Sequence, residues 1–308
     1  MKREDGIFFE DVVLKRGPMK RLNRTEVDAL IKLLDDNDQE IYSHIQSKLI
    51  DYGKEVIPIL ENAWSSSMDA IMQERIENVI HKIQFDDLKH DLHVWAHSGS
   101  HDLIKGAIIL ARYQYPELQE AHIQKQLDKV RKDAWLEMND GLTALEQVKV
   151  MNKIFFDIHG YSGNTQNYHA PQNSFINIVL ETKKGNPLML SILYMEIARS
   201  AGIPIYGVNL PEHFILCYKD KAISTKNNDD DSNILFYINP FSKGDIFNKK
   251  EIDNFLLQLK ISRDNVYYTP CSNTDMIQRL IRNLMNSYHK LGFMDKVEEL
   301  NLLMRAVN

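Results

Sequence analysis

Apolar positions recur at helical spacing through the first third of the chain. Val27, Leu30, Ile31 and Leu34 fall on one face, and Thr25 followed by Asp28 resembles an N-cap pair. Ile41, Ile45, Leu49 and Tyr52 form a second stripe, which Gly53 closes as a left-handed cap. Val56-Ile57-Pro58 opens a third helix, with Pro58 tolerated in the first turn. Met72, Ile76, Ile80 and Ile83 make a fourth, and the pattern continues less regularly through Leu103–Arg112 and Ile123–Val130.

The stripe that begins at Ile41 returns at Met72, the spacing of helix-pair repeats similar to HEAT units. The pattern then changes. Polar turn formers crowd HGYSGNTQNYHAPQNS (159–174). A helix is predicted from Pro187 to Ala201 on the stripe Leu188, Ile192, Met195 and Ala198, and Gly202-Ile203-Pro204 ends it. Strands are predicted at Ile205–Leu210, His213–Lys219 and Ile234–Asn239. Last comes a helical hairpin, with Met276, Leu280, Leu284 and Tyr288 before Gly292 and with Val297, Leu300 and Leu303 after it, like one tetratricopeptide unit. The expected organisation is a tail (1–22), an α-helical repeat-like region (23–135), an α+β core with a helix on an antiparallel sheet (136–268) and the hairpin (269–308).

Composition narrows the function classes. The chain has 308 residues, 44% hydrophobic and 26% charged, with 13 Gly and 9 Pro, which favours helix over an all-β architecture. A net charge of −6 argues against a nucleic-acid partner. Two cysteines exclude a disulfide framework and a four-thiolate zinc site. MKREDGIFFEDVV lacks the apolar run of a signal peptide and no stretch reads as membrane-spanning, so the expected location is the cytoplasm. The basic cluster Lys15, Arg16, Lys20, Arg21 and Arg24 reads as a solvated turn. His90, His93, His97 and His101 read as a solvated helix face, and Asn227–Asp231 as a mobile hairpin tip.

One constellation carries chemistry. With a turn centred near residue 226, His213 faces Asn239, Leu216 faces Phe236 and Tyr218 faces Ile234. Asn239 then fixes the His213 tautomer. The helix start at Gly185-Asn186-Pro187 lies beyond the ring, where unpaired N–H groups stabilise a thiolate or an oxyanion. Thiol, imidazole and orienting amide is the logic of cysteine acyl transferases.

KKGNPLMLSILYMEIARSAGIPIYGVNLPEHFILCY and FYINPFSKGDIF resemble the transglutaminase-like module of SirB1-type proteins, as does the preceding GYSGNTQNYHAPQNSFINIVLETKKG. The resemblance covers residues 25–305, with 172–246 as its specific part, and implies a papain-like or transglutaminase-like core with helical flanks. It puts His213 at the catalytic histidine and Asn239 where active transglutaminases keep Asp. It puts Pro187 at the nucleophile position, yet Asn186, Pro187, Leu188 and Met189 include no nucleophile. No other residue replaces it. Cys217, four strand residues from His213, is ~13 Å away and reads as a core thiol. Ser191 is a helical turn too deep, Ser174 reads as a cap or turn residue, and Cys271 has no histidine beside it. The expectation is a non-catalytic binding or regulatory scaffold for protein or peptide partners. His213, Asn239, Asn173 and Tyr168 are its contacts, and neither metal nor cofactor is involved. The alternative is an amide or ester hydrolase or acyl transferase with a displaced nucleophile. Oligomeric state is left open.

Overall fold

The computed structural model describes residues 21–99, 101–220 and 233–308. The Lys15–Lys20 part of the basic cluster and the Asn227–Asp231 run lie outside them. Two compact units divide the chain, the first ending at Asp91 and the second running Leu92–Asn308.

In the first unit, α1 (Arg24–Lys32), α2 (Gln39–Ile50), α3 (Ile57–Ser66) and the opening turns of α4 (Ala70–His97) bury the predicted stripes together. Val27, Leu34, Leu49, Tyr52, Leu60 and Ile76 are fully buried. The cap differs from expectation: Asn23, not Thr25, accepts from Glu26 N, so α1 starts two residues earlier. Gly53 adopts φ 60° as anticipated, and Pro58 sits in the first turn of α3. Arg75 Nη1 donates to Asp36 O at 2.7 Å, tying the α1–α2 connection to α4.

The second unit opens with α5 (Leu103–Ala111), α6 (Glu120–Glu137) and α7 (Ala144–Asn152). A parallel two-residue pair, β1 (Ser162–Gly163) and β2 (Lys184–Gly185), flanks α8 (Ile176–Thr182). Then come α9 (Pro187–Ser200), β3 (Ile205–Leu210), β4 (His213–Lys219), β5 (Ile234–Asn239), β6 (Asp245–Phe247), α10 (Lys249–Gln258), α11 (Asn273–Leu291) and α12 (Met294–Val307). Strands β3, β4, β5 and β6 form one antiparallel sheet in sequence order. Its β3, β4 and β5 have the predicted bounds, while β6, α7, α8 and α10 are additions. The fold is α+β.

Helix α9 is buried almost all round, the signature of a helix enclosed by neighbours. It packs on β3 and β4 and touches α5, α6 and α8. Ile215, Cys217 and Tyr237 pack with Ile252 and Leu256 of α10. The one charged side chain buried on α9, Glu196, accepts from Arg131 Nη2 at 2.7 Å and Arg199 Nη2 at 2.8 Å.

Two expectations change. The boundaries at 135 and 268 do not separate compact units, because α5, α6 and α11 pack into the core that holds the sheet. Every α5 residue except Lys105 is buried, and α11 and Trp95 approach Gly106 so closely that a Cβ there would meet Trp95 at 2.8 Å. The β4–β5 register is also displaced: Leu216 pairs with Ile238 and Tyr218 with Phe236. The irregularity between Tyr218 and Lys219 accounts for one residue of this displacement, the rest being present already where Lys219 pairs with Ile234, and the even total keeps each side chain on its expected face.

Candidate functional site

At one end of the sheet the second unit has a cleft of about 700 Å³. The start of α9, the start of β4, the 168–174 loop and one face of α11 line it.

Helix α9 begins with a committed cap. Asn186 Oδ1 accepts from Met189 N at 2.8 Å, and Asn186 Nδ2 donates to Ser174 Oγ at 2.8 Å. Pro187 supplies the first helical residue, where its missing N–H costs nothing. The side chains that line the cleft at this tip are therefore Asn186, Pro187 and Leu188, with no thiol among them. Ser191, fully buried, donates its hydroxyl to Pro187 O at 2.8 Å. Cys217 is buried against the α10 side of the sheet and does not line the cleft. Nor does Cys271, whose thiol is pushed up to about 12 by burial, with Asp275 adding to the effect.

His213 enters β4 directly after Glu212, which takes a left-handed backbone at φ 57°. Its ring stands edge-on to Phe241 with centroids 6.4 Å apart. Burial holds the imidazole below its ordinary 6.5; a hydrogen bond with Asn239 opposes this, and Arg279 adds to it. Asn239 is oriented by its own turn: its Oδ1 accepts from Phe241 N and Ser242 N, capping the 3-10 turn that follows. The displaced register thus moves Asn239 off the directly opposing position, and its Nδ2 donates to Ser242 Oγ at 3.1 Å within the same turn.

Tyr168 lines the cleft, edge-on to Phe241 at 5.6 Å. Burial raises its phenol, Arg279 opposes that, and Glu212 reinforces it. Asn173, expected as a ligand contact, does not line the cleft. Its side chain accepts from Asn164 Nδ2 at 2.8 Å and donates to Asn167 O and Tyr168 O at 2.7 and 3.0 Å. A buried amide satisfied this fully holds the loop that carries Tyr168. The structure therefore gathers Tyr168, Pro187 and His213 in the cleft; Asn239, expected as a contact, does not line it, and Asn173 serves as support.

Sequence reasoning missed the α11 wall. Arg279, Arg282, Asn283, Asn286 and Lys290 all line the cleft. They were legible as a polar stripe at helical spacing, opposite Met276, Leu280, Leu284 and Tyr288. In the four-histidine run, His93, His97 and His101 each direct a ring nitrogen to a backbone carbonyl, and no group of three or more ligating side chains placed to hold a metal occurs among the described residues. No described helix is long and apolar enough to cross a membrane.

The UPF0162 protein of Xylella fastidiosa strain Temecula1 is 35% identical over 118 residues, covering 37% of this chain and 41% of that protein. The UPF0162 protein of Vibrio cholerae is 28% identical over 115 residues, covering 37% and 43%. The chain thus spans about two-fifths of the length of these curated relatives. Human F-box only protein 21 is 28% identical over 155 residues, covering 50% of this chain and 23% of that protein. No solved structure matches. The model of the Transglutaminase-like superfamily matches residues 121–282, a span that takes in α9, the sheet and the cleft-lining cations of α11 as far as Arg282, and the chain belongs to that superfamily.

Proposed function

We propose that this protein is a non-catalytic member of its superfamily, a binding or regulatory module that holds a protein or peptide segment in the cleft. One observation carries the reading: the helix tip beside His213 ends in Pro187 and a capping Asn186, with no thiol on either. His213, kept neutral by burial, then serves as a hydrogen-bonding contact, with Asn239 setting its orientation. Tyr168 adds an aromatic wall. The helical flanks, read as HEAT-like and tetratricopeptide-like, make the module similar to SirB1-type proteins and give it scaffold surface. We place it in the cytoplasm. The stretch shared with F-box only protein 21, a far longer protein, is consistent with a module used inside larger assemblies.

A second reading rests on Ser174, which lines the same cleft as the imidazole and whose hydroxyl accepts from Asn186 Nδ2. In it the protein is an amide or ester hydrolase or an acyl transferase with Ser174 as displaced nucleophile. Turnover of acyl esters and glutamine amides separates the two. We expect none from the wild type; turnover lost in both His213→Ala and Ser174→Ala would overturn the binding reading in favour of the enzyme.

A further inference from the structure

Charge is distributed unevenly in this molecule. The chain as a whole carries −6, yet three permanent cations, Arg279, Arg282 and Lys290, line the cleft against one carboxylate, Glu212. None of the three pairs with a carboxylate among the described residues. Arg279 Nη1 donates to Leu210 O at 2.5 Å and to Asn209 Oδ1, which pins the guanidinium to the end of β3. Its Nε and Nη2 have no partner among the described residues. Among the described residues, Lys290 Nζ meets only the His169 ring nitrogen, at 2.9 Å. Of the three, Arg279 is the partly buried one: burial first, and neighbouring Arg282 second, disfavour its charge, a cost that an anionic occupant offsets.

Spacing selects the kind of anion. From Arg279 to Lys290 the helix rises ~16 Å, far more than one phosphate group spans. An extended peptide of about five residues covers the same length. Between the cations, Asn283 and Asn286 offer amides that both donate and accept, which suits the alternating N–H and C=O of a peptide backbone. The two arginines stand within one turn of each other and can each take a carboxylate bidentately.

We propose that the cleft receives an extended acidic peptide, its backbone against Asn283 and Asn286 and its carboxylates on Arg279 and Arg282 at one end and Lys290 at the other. This rests on the binding reading above and adds the chemistry of the occupant.

The test uses the full chain and follows the His213 imidazole by NMR during titration. The probes are acetyl-Glu-Gly-Glu-Gly-Glu-amide, its Gln counterpart, tripolyphosphate and a single-stranded oligonucleotide. The acidic peptide is expected to shift the His213 signals saturably, at least ~10-fold more tightly than the Gln peptide, with affinity falling as salt rises. Arg282→Glu and Lys290→Glu, both at exposed positions, should each weaken it about tenfold without changing the thermal melt. Equal binding of the Gln peptide would overturn the acidic class and leave cleft binding standing. Tighter binding of tripolyphosphate or the oligonucleotide would overturn the peptide, and silence from every probe would overturn the proposal outright. None of these outcomes touches the turnover assay, whose positive result is what would overturn the binding reading itself.

Discussion

Pro187 occupies a helix start where N–H groups and the helix dipole would otherwise depress a thiol's pKa. Pro187→Cys should therefore create a thiol that ionises well below the ordinary ~8.5. The pH profile of its iodoacetamide alkylation reads this directly. Cys271, pushed up to about 12, and buried Cys217 serve as slow internal references. A profile with its midpoint near the ordinary value would show that the tip does not favour an anion. His213 supplies a second prediction. Its value in the fold lies below its unfolded ~6.5, so the unfolded chain binds more protons in that window. Its contribution to stability is intact above the unfolded value and is lost as pH falls through the folded one. Urea melts at about pH 7.5 and about pH 5 should therefore differ more in wild type than in His213→Gln.

Elements were legible where periodicity was strong and local. The three long strands were readable to the residue because Gly202-Ile203-Pro204, Pro211-Glu212 and the polar run after Lys219 punctuate them. Helix α9 was equally clear. By contrast β6 is only three residues long, and α10 follows it after a single connecting residue, Asn248, so neither presents a window long enough to show a period. The register was missed in part because the irregularity at Tyr218 is a backbone event with no residue signature. Between β5 and β6, Gly244 adopts φ 76°, and a Cβ there would meet Asn152 Oδ1. That same Asn152 donates to Gly244 O at 2.9 Å and accepts from Tyr194 OH at 2.9 Å. Gly244→Ala should cost about 1–3 kcal/mol from the backbone alone, with more from displacing Asn152, measured by denaturant melts. Arg131→Ala should cost about 1–3 kcal/mol, because Glu196 loses its inward partner and keeps only the exposed Arg199. The pair Arg131→Met with Glu196→Gln should recover part of that loss.

Across the whole molecule, what stayed hidden was assembly. The stripe on α11 was visible as polar positions, but nothing in a linear reading says that a helix beginning at Asn273 returns to face His213. The same holds for α5 and α6, which read as a continuation of the preceding helices and pack instead around α9. Tertiary packing decides such groupings, and the separation between Leu210 and Arg279 along the chain exceeds any local pattern. Asn173 shows the converse: its residue type and neighbourhood suggested a contact, and the fold spends all its hydrogen-bonding capacity on a loop.

The bond from Arg279 to the end of β3 has a practical corollary for how the protein can be divided. A fragment stopped at residue 268 would keep every strand and α9 while discarding the cleft's basic flank. It would also bare the apolar stripe of α5 that α11 covers. Such a fragment should be sticky, poorly soluble and unable to retain an acidic tag, whereas one begun near Leu92 and carried through to Val307 keeps the groove whole.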